Sequence, residues 1–281
     1  MMKNKKIFAC ILSLMVIILL NVSVMAQTDN LSRIERLSGE DRFKTSVAIS
    51  QNGWKSAENV IIAYGRDFPD ALCATPLAKK LNAPILLSEK SRLTAEVENE
   101  LKRLRPQNVY LIGGTAVITT EVEAQIKGAL PNVQVKRIAG ADRIETSIEV
   151  AKLLNYNGKL VIAYGWNYAD ALSIAPIAAK YEMPIILSRT NELKNTVQQY
   201  LQGKNINKAY IIGGTAVISD NIKNSLQNAE RIFGSNRFET NYEVLNKFKN
   251  EINFESIYVA IGIGDGKFAD ALSASSLVAK K

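Results

Sequence analysis

The chain contains no histidine, and Cys10 and Cys73 are its only cysteines in 281 residues. Ser-His-Asp and Cys-His nucleophile pairs, zincin motifs and most transition-metal sites each need an imidazole as base or ligand, so all of them are excluded. Carboxylate chemistry survives this test. Only seven prolines are present, and nowhere do Pro, Gly and Ser cluster into a linker that would let parts of the chain swing freely. Long apolar runs are also missing. The longest, residues 7–20, has about 14 residues, whereas a bilayer-spanning helix needs about 20.

What is present at the amino terminus reads as an address label. Lys3, Lys5 and Lys6 precede the apolar run, and Val24-Met25-Ala26 offers small residues suited to a signal peptidase. Residues 1–26 are expected to be a cleaved signal, with no stable membrane insertion afterwards. Cys10 lies inside the apolar run, not just after a cleavage site, and is not placed for lipidation. With Cys73 alone remaining, no intramolecular disulfide is available, and stability must come from a packed core. A content of 47% hydrophobic and 22% charged residues is ordinary for a globular protein. The formal charge of +8 falls to about +5 without the three signal lysines. That excess favours an anionic partner. For an exported chain, wall polymers fit better than nucleic acid.

Internal repetition organises the rest. Asp70-Ala71-Leu72, Asp170-Ala171-Leu172 and Asp270-Ala271-Leu272 recur at a spacing of 100 residues. Strand-like runs precede them, at 60–65, 160–165 and 257–262, each ending in glycine. Pro84-Ile85-Leu86-Leu87-Ser88 and Pro184-Ile185-Ile186-Leu187-Ser188 follow the first two, and residues 112–118, Ile-Gly-Gly-Thr-Ala-Val-Ile, recur letter for letter at 212–218. Each unit opens on a related octet, at 36–43, 137–144 and 231–238. The expected organisation is therefore a signal at 1–26, units at 27–132 and 133–228, and a partial third at 229–281. The third holds one strand-like run and one helix, without a Pro-Ile-Leu-Leu strand or a Gly-Gly turn. Residues from about Glu230 onward are expected to be the least stable part, since a partial unit buries little core.

Short, continuous, β-branched runs are the pattern of strands buried on both faces of a parallel sheet, and helical periodicity lies between them. The expected fold is α/β: tandem three-layer α/β/α units with mainly parallel sheets, Rossmann-like or Toprim-like, two complete and a third partial.

Candidate site residues come from repetition and from strand-end geometry. Asp67 and Asp70, flanking Phe68-Pro69 at a helix start, suit helix capping. Asp70, Asp170 and Asp270 also sit at the carboxyl ends of strands, where open α/β sheets place ligands. Ser88 and Ser188 end strands at the same edge. Thr115 and Thr215 follow Gly-Gly, which serves either as a tight turn or as a backbone nest for an anion. Arg42, Arg143 and Arg237 recur in all three units and suit either bidentate recognition of phosphate or carboxylate or a salt bridge to the next unit. Tyr64, Tyr164 and Trp166 suit either core packing or stacking on sugar rings. Cys73 aligns with Ser173 and Ser273, so it reads as a small packed residue rather than a nucleophile.

Taken in order, the motifs Arg-x-x-Gly-x-Asp-Arg, Tyr-Gly-x-x-x-x-Asp-Ala-Leu, Pro-Ile-Leu-Leu-Ser and Ile-Gly-Gly-Thr-Ala-Val-Ile resemble the cell-wall-binding repeat type 2 family of Gram-positive surface proteins. The resemblance spans essentially the whole mature chain. It implies three repeats about a pseudo-threefold axis, and noncovalent anchoring of wall and S-layer proteins to an anionic, teichoic-acid-like secondary polymer. It also implies no cofactor, no metal and no catalysis, with other surface-layer proteins as further partners. Unit three departs from the pattern in being incomplete and in having Asn236 where the others have Asp41 and Asp142. Two other classes stay open on residues alone: an envelope hydrolase or phosphotransferase built on Asp70 and Asp170, and a structural S-layer component.

Overall fold

The computed structural model describes residues 34–67, 70–264 and 268–280. The expected signal lies outside the described residues. Met1–Arg36 and Leu37–Lys281 form separate units, and every helix and strand described below lies in the second of these.

The first repeat runs α1 (Arg42–Gly53), β1 (Asn59–Tyr64), a 3-10 turn (Ala71–Cys73) leading into α2 (Ala74–Lys80), β2 (Ile85–Ser88), α3 (Ala95–Leu104), β3 (Asn108–Ile112), α4 (Thr120–Ala129) and β4 (Gln134–Ile138). The second runs α5 (Arg143–Lys152), β5 (Lys159–Tyr164), α6 (Ala169–Lys180), β6 (Ile185–Ser188), α7 (Asn195–Leu201), β7 (Lys208–Ile212), α8 (Asp220–Asn224) and β8 (Ala229–Ile232). From the third come α9 (Arg237–Lys247), a 3-10 turn (Lys249–Glu251) and α10 (Ala269–Lys280).

The strands form two parallel four-stranded sheets, ordered β2-β1-β3-β4 and β6-β5-β7-β8. Ile61 lies opposite Ile85 on one side and Tyr110 on the other, and Val161 lies likewise between Ile185 and Tyr210. Every residue of β2 and β6 is buried, which explains why these strands are continuously apolar rather than alternating. The tandem α/β expectation holds. The expected unit boundaries at 132 and 228 fall just before β4 and β8. β4 pairs with β3 and β8 with β7, so the motif that opens a repeat in sequence supplies the last strand of the preceding sheet.

Each opening motif builds one local device. Asp41 accepts from the amide of Lys44, Asp142 from that of Glu145, and Asn236 from those of Phe238 and Glu239, capping α1, α5 and α9. Asparagine caps as well as aspartate does, so the departure at Asn236 leaves the device intact. Thr45, Thr146 and Thr240 accept from the amides of Gly39, Gly140 and Gly234 at 3.0 to 3.1 Å. A Cβ at any of these glycines would stand 2.2–2.3 Å from the Cβ of residue 44, 145 or 239, which no side chain tolerates.

The helices that begin at the Asp-Ala-Leu segments, α2, α6 and α10, pack against one another. Their contact faces are small, with Ala74, Thr75, Ala78, Ala171, Ala175, Ala178, Ser273, Ser275 and Ser276 all buried. Thr75 and Ser275 share a hydrogen bond of 2.7 Å across that junction. Each of the three helices also docks on the opening helix of the next repeat: α2 on α5, α6 on α9 and α10 on α1. The third repeat thus closes onto the first.

This closure divides the segment after Glu230, expected to be the least stable part, into a buried and an exposed portion. Phe268, Leu272 and Leu277 of the third repeat are fully buried. The strand-like run at 257–262, in contrast, joins neither sheet and is exposed, Val259 to 93%. Strand propensity without a ladder partner does not make a strand. The helix survives without its sheet because its apolar face is covered by two other repeats.

Two outcomes are expected. Leu277→Ala is expected to cost the chain about 2–5 kcal/mol in denaturant unfolding, whereas Val259→Ala stays within about 0.5 kcal/mol; equal effects would refute the division of the third repeat. Backbone amides of Ile257–Ile261 are expected to exchange with solvent far faster than those of Val60–Ala63, read by hydrogen–deuterium exchange.

Candidate functional site

The carboxyl ends of β1 and β5 form a crest in each complete repeat, and most of the sequence-derived candidates lie at or near it. Arg42 donates to the carbonyl of Gly65 at 2.5 Å, Arg143 to that of Gly165 at 2.8 Å, and Arg237 to that of Gly262 at 3.0 Å. Each arginine thereby pins its opening helix to the glycine that ends the neighbouring strand-like run. Their planar forks also reach across to the preceding repeat. Arg237 donates to the Tyr168 hydroxyl at 3.0 Å and lies over its ring, and Arg42 lies 5.8 Å from the centroid of the Phe268 ring.

Asp70 and Asp170 face the same junctions. Neither caps a helix through its side chain, and Asn167, not Asp170, accepts from the Ala169 amide at 3.2 Å. The side-chain capping expected of Asp70 is therefore not seen; Phe68 and Pro69 lie outside the described residues. Burial raises the Asp70 carboxyl above the ordinary aspartate range, against the pull of the Thr146 hydroxyl and the Arg143 charge. Burial likewise pushes Asp170 up to about 6, opposed by Arg237. Each of these carboxylates thus answers to the arginine of the following repeat. Asp270 occupies the matching first turn of α10 and is half-buried.

The Gly-Gly-Thr segments are tight turns. Gly113 and Gly213 have φ of 116° and 113°, a region that favours glycine. A Cβ on Gly113 or Gly213 would approach Oδ2 of Asp70 to 3.0 Å or of Asp170 to 2.7 Å. Thr115 and Thr215 are exposed beside those turns. Ser88 and Ser188 are fully buried, with side-chain hydroxyls that meet no partner, so they lie beneath the crest rather than on it. Cys73 is buried, and desolvation raises its thiol pKa well above the usual range, consistent with a packing role. Among the described residues no cluster of three or more acidic or thiol side chains could hold a metal ion.

Sequence reasoning missed the opposite end of the junctions. Lys80 donates to the carbonyl of Leu153 at 2.7 Å, Lys280 to that of Gly53 at 2.8 Å, and Lys180 to that of Glu251. Each joins the foot of one repeat's Asp-Ala-Leu helix to the next repeat, and the third again returns to the first. The signal was available: these lysines share the 100-residue spacing of the aspartates.

The family model for cell wall binding domain 2 (CWB2) matches residues 36–123, 137–223 and 231–281. The chain is 33% identical over 248 residues to N-acetylmuramoyl-L-alanine amidase LytC of Bacillus subtilis, covering 88% of this chain and 49% of that protein. It is also 33% identical to the amidase enhancer of the same organism, covering 90% of this chain and 34% of the relative. The chain therefore spans about half or less of the curated relatives it matches. Among solved structures, Cwp6 from Clostridium difficile matches with a TM-score of 0.81 at 33% identity, over 91% of this chain and 42% of that one. Cwp8 from the same organism matches with a TM-score of 0.76.

The raised Asp170 pKa has a definite consequence for stability. In the unfolded chain the group titrates near 3.8, and in the folded chain near 6, so folding takes up a proton between those values. Stability is expected to rise as pH falls from about 7 towards 4 and to lose that gain as pH climbs back through 6. Asp170→Asn is expected to flatten this part of the profile, measured by thermal unfolding at stepped pH; an unchanged slope would remove Asp170 as its source.

Proposed function

This chain belongs to the cell wall binding domain 2 family, and on that premise we propose that it anchors an exported protein noncovalently to the bacterial envelope through an anionic secondary wall polymer. The observation that carries the reading is the match of the family model in all three repeats, together with an excess of cations over carboxylates. Weak contacts repeated on one rigid body gain avidity from repetition, whereas a catalytic centre gains nothing from imperfect copies.

A binding rather than catalytic role is also supported by what the retained polar groups do. Asp70 and Asp170, the pair a hydrolase would need, sit at different junctions, each beside an arginine of the next repeat. The amidase chemistry named for one relative is that protein's. The family supports a position for this kind of module at the wall or cell surface, and among the described residues no helix is long and apolar enough to cross a membrane. A teichoic-acid-like polymer is the partner class that suits the net charge, and S-layer association follows as the setting in which such anchors work.

Retention on purified Gram-positive walls is the direct test. Binding is expected to fall steeply as salt rises above physiological ionic strength, where the Debye length is about 8 Å, and to vanish on walls stripped of phosphate polymers by hydrofluoric acid. Retention that ignores both treatments would refute the anionic-polymer reading.

A further inference from the structure

Among the differences between the two complete repeats at the crest, one exchanges a closed ion pair for another chemistry. In the first, the residue after Gly65 is Arg66 and the residue after Ser88 is Glu89. They form a two-pronged ion pair at 3.0 and 2.5 Å, with the guanidinium also 5.4 Å from the Phe43 ring centroid. That cation is already used. In the second repeat the same positions hold Trp166 and Arg189.

Trp166 is 43% exposed, an unusual setting for so large an apolar side chain. Its ring lies 5.6 Å from that of Tyr164, 4.9 Å from the Arg143 guanidinium and 6.0 Å from that of Arg189. Arg143 is committed to the Gly165 carbonyl. Arg189 is exposed, and among the described residues it meets no carboxylate; its one contact is the indole face. The nearby Lys194 is neutralised by Asp142 and Glu145. The second repeat therefore presents an exposed indole beside an unspent guanidinium, where the first presents a closed pair. The third has Ile263 after its glycine, so among the described residues the arrangement occurs once.

We propose that Trp166 and Arg189 form a binding site for an anionic glycan. The guanidinium fork receives a phosphate or carboxylate in two parallel hydrogen bonds, and the indole carries the apolar face of the adjoining sugar ring. The site deepens the wall-polymer reading above and rests on it for the identity of its natural ligand. It also supplies what charge alone lacks, a contact that separates a sugar-bearing polyanion from a bare one.

The test uses the full chain and a soluble glycosylated poly(glycerol phosphate), followed by tryptophan emission. Trp54 is buried and donates to Asn82, so accessible emission reports on Trp166. Trp166→Ala removes that reporter, so affinities are compared by calorimetry. Trp166→Ala and Arg189→Ala are each expected to weaken binding about tenfold or more. The exposed Lys55→Ala, which makes the same charge change as Arg189→Ala at the far end of the strands, should stay within about twofold. A double variant, Trp166→Arg with Arg189→Glu, rebuilds the ion pair of the first repeat, so it should melt like the parent while losing the same affinity. Binding by both alanine variants within about twofold of the parent would overturn the proposal, as would no binding by the parent. Equal binding of neutral dextran would remove the anionic half, and equal binding of polyglutamate the sugar half. Wall retention separates the two readings. A parent held on walls with its platform variants held equally well sinks only this site. A parent that binds the soluble polymer through Trp166 but not walls sinks only the anchoring.

Discussion

Everything in this chain depends on the head-to-tail docking of three helices. α2, α6 and α10 each lie against the other two and against the opening helix of the following repeat. Three helices can share one junction only if their facing residues are small, which is why alanine, serine and threonine line it. Close approach brings the polar ends of the helices together, and both ends are satisfied across the junction. At the crest, Arg237 reaches Tyr168 and Arg42 reaches Phe268; at the foot, Lys80, Lys180 and Lys280 donate to carbonyls of the next repeat. The second pattern runs first to second, second to third and third to first, so the arrangement closes on itself.

That closure decides where the retained residues end up. Asp70, just before the 3-10 turn that leads into α2, and Asp170, in the first turn of α6, have helix amides nearby, yet docking turns each carboxyl toward the next repeat and away from water. Desolvation raises its pKa, and the facing arginine recovers part of the loss. The neighbouring glycine then has two reasons to be glycine: a φ near +115° and the carboxylate oxygen against its α-carbon. Arginine, aspartate and Gly-Gly turn are thus one device spread over two repeats.

Much of this was legible in the sequence because burial on both faces leaves a plain mark. The runs at 60–63 and 160–163 read as interior parallel strands and are fully buried. The lysines at 80, 180 and 280 and the caps at 41, 142 and 236 were equally visible, the first as a period and the second as residue types before a helix. Other features left no such mark. The direction in which Asp70 points is set by the opening helix of the next repeat, and no local preference encodes it. The run at 257–262 carries the same apolar pattern as β1, but a pattern states what a segment would bury, not whether a partner is present to bury it.

The third repeat shows the same rule from its helical side. Phe238 and Tyr242 of α9 stand where Phe43 and Val47 stand in α1, and Ile144 and Ile148 in α5. Those four are buried, because α1 packs on β2 and α5 on β6. Phe238 is 53% exposed and Tyr242 62%, since among the described residues no strand after β8 lies against that face. Full burial of a side chain of this size contributes about 1.5–3 kcal/mol. α9 keeps its place without that gain through its Asn236 cap, the Arg237 bonds to Gly262 and Tyr168, and its contact with α6. Junction contacts therefore hold a repeat in position independently of its sheet, and the sheet adds stability to a placement that the helices have already determined.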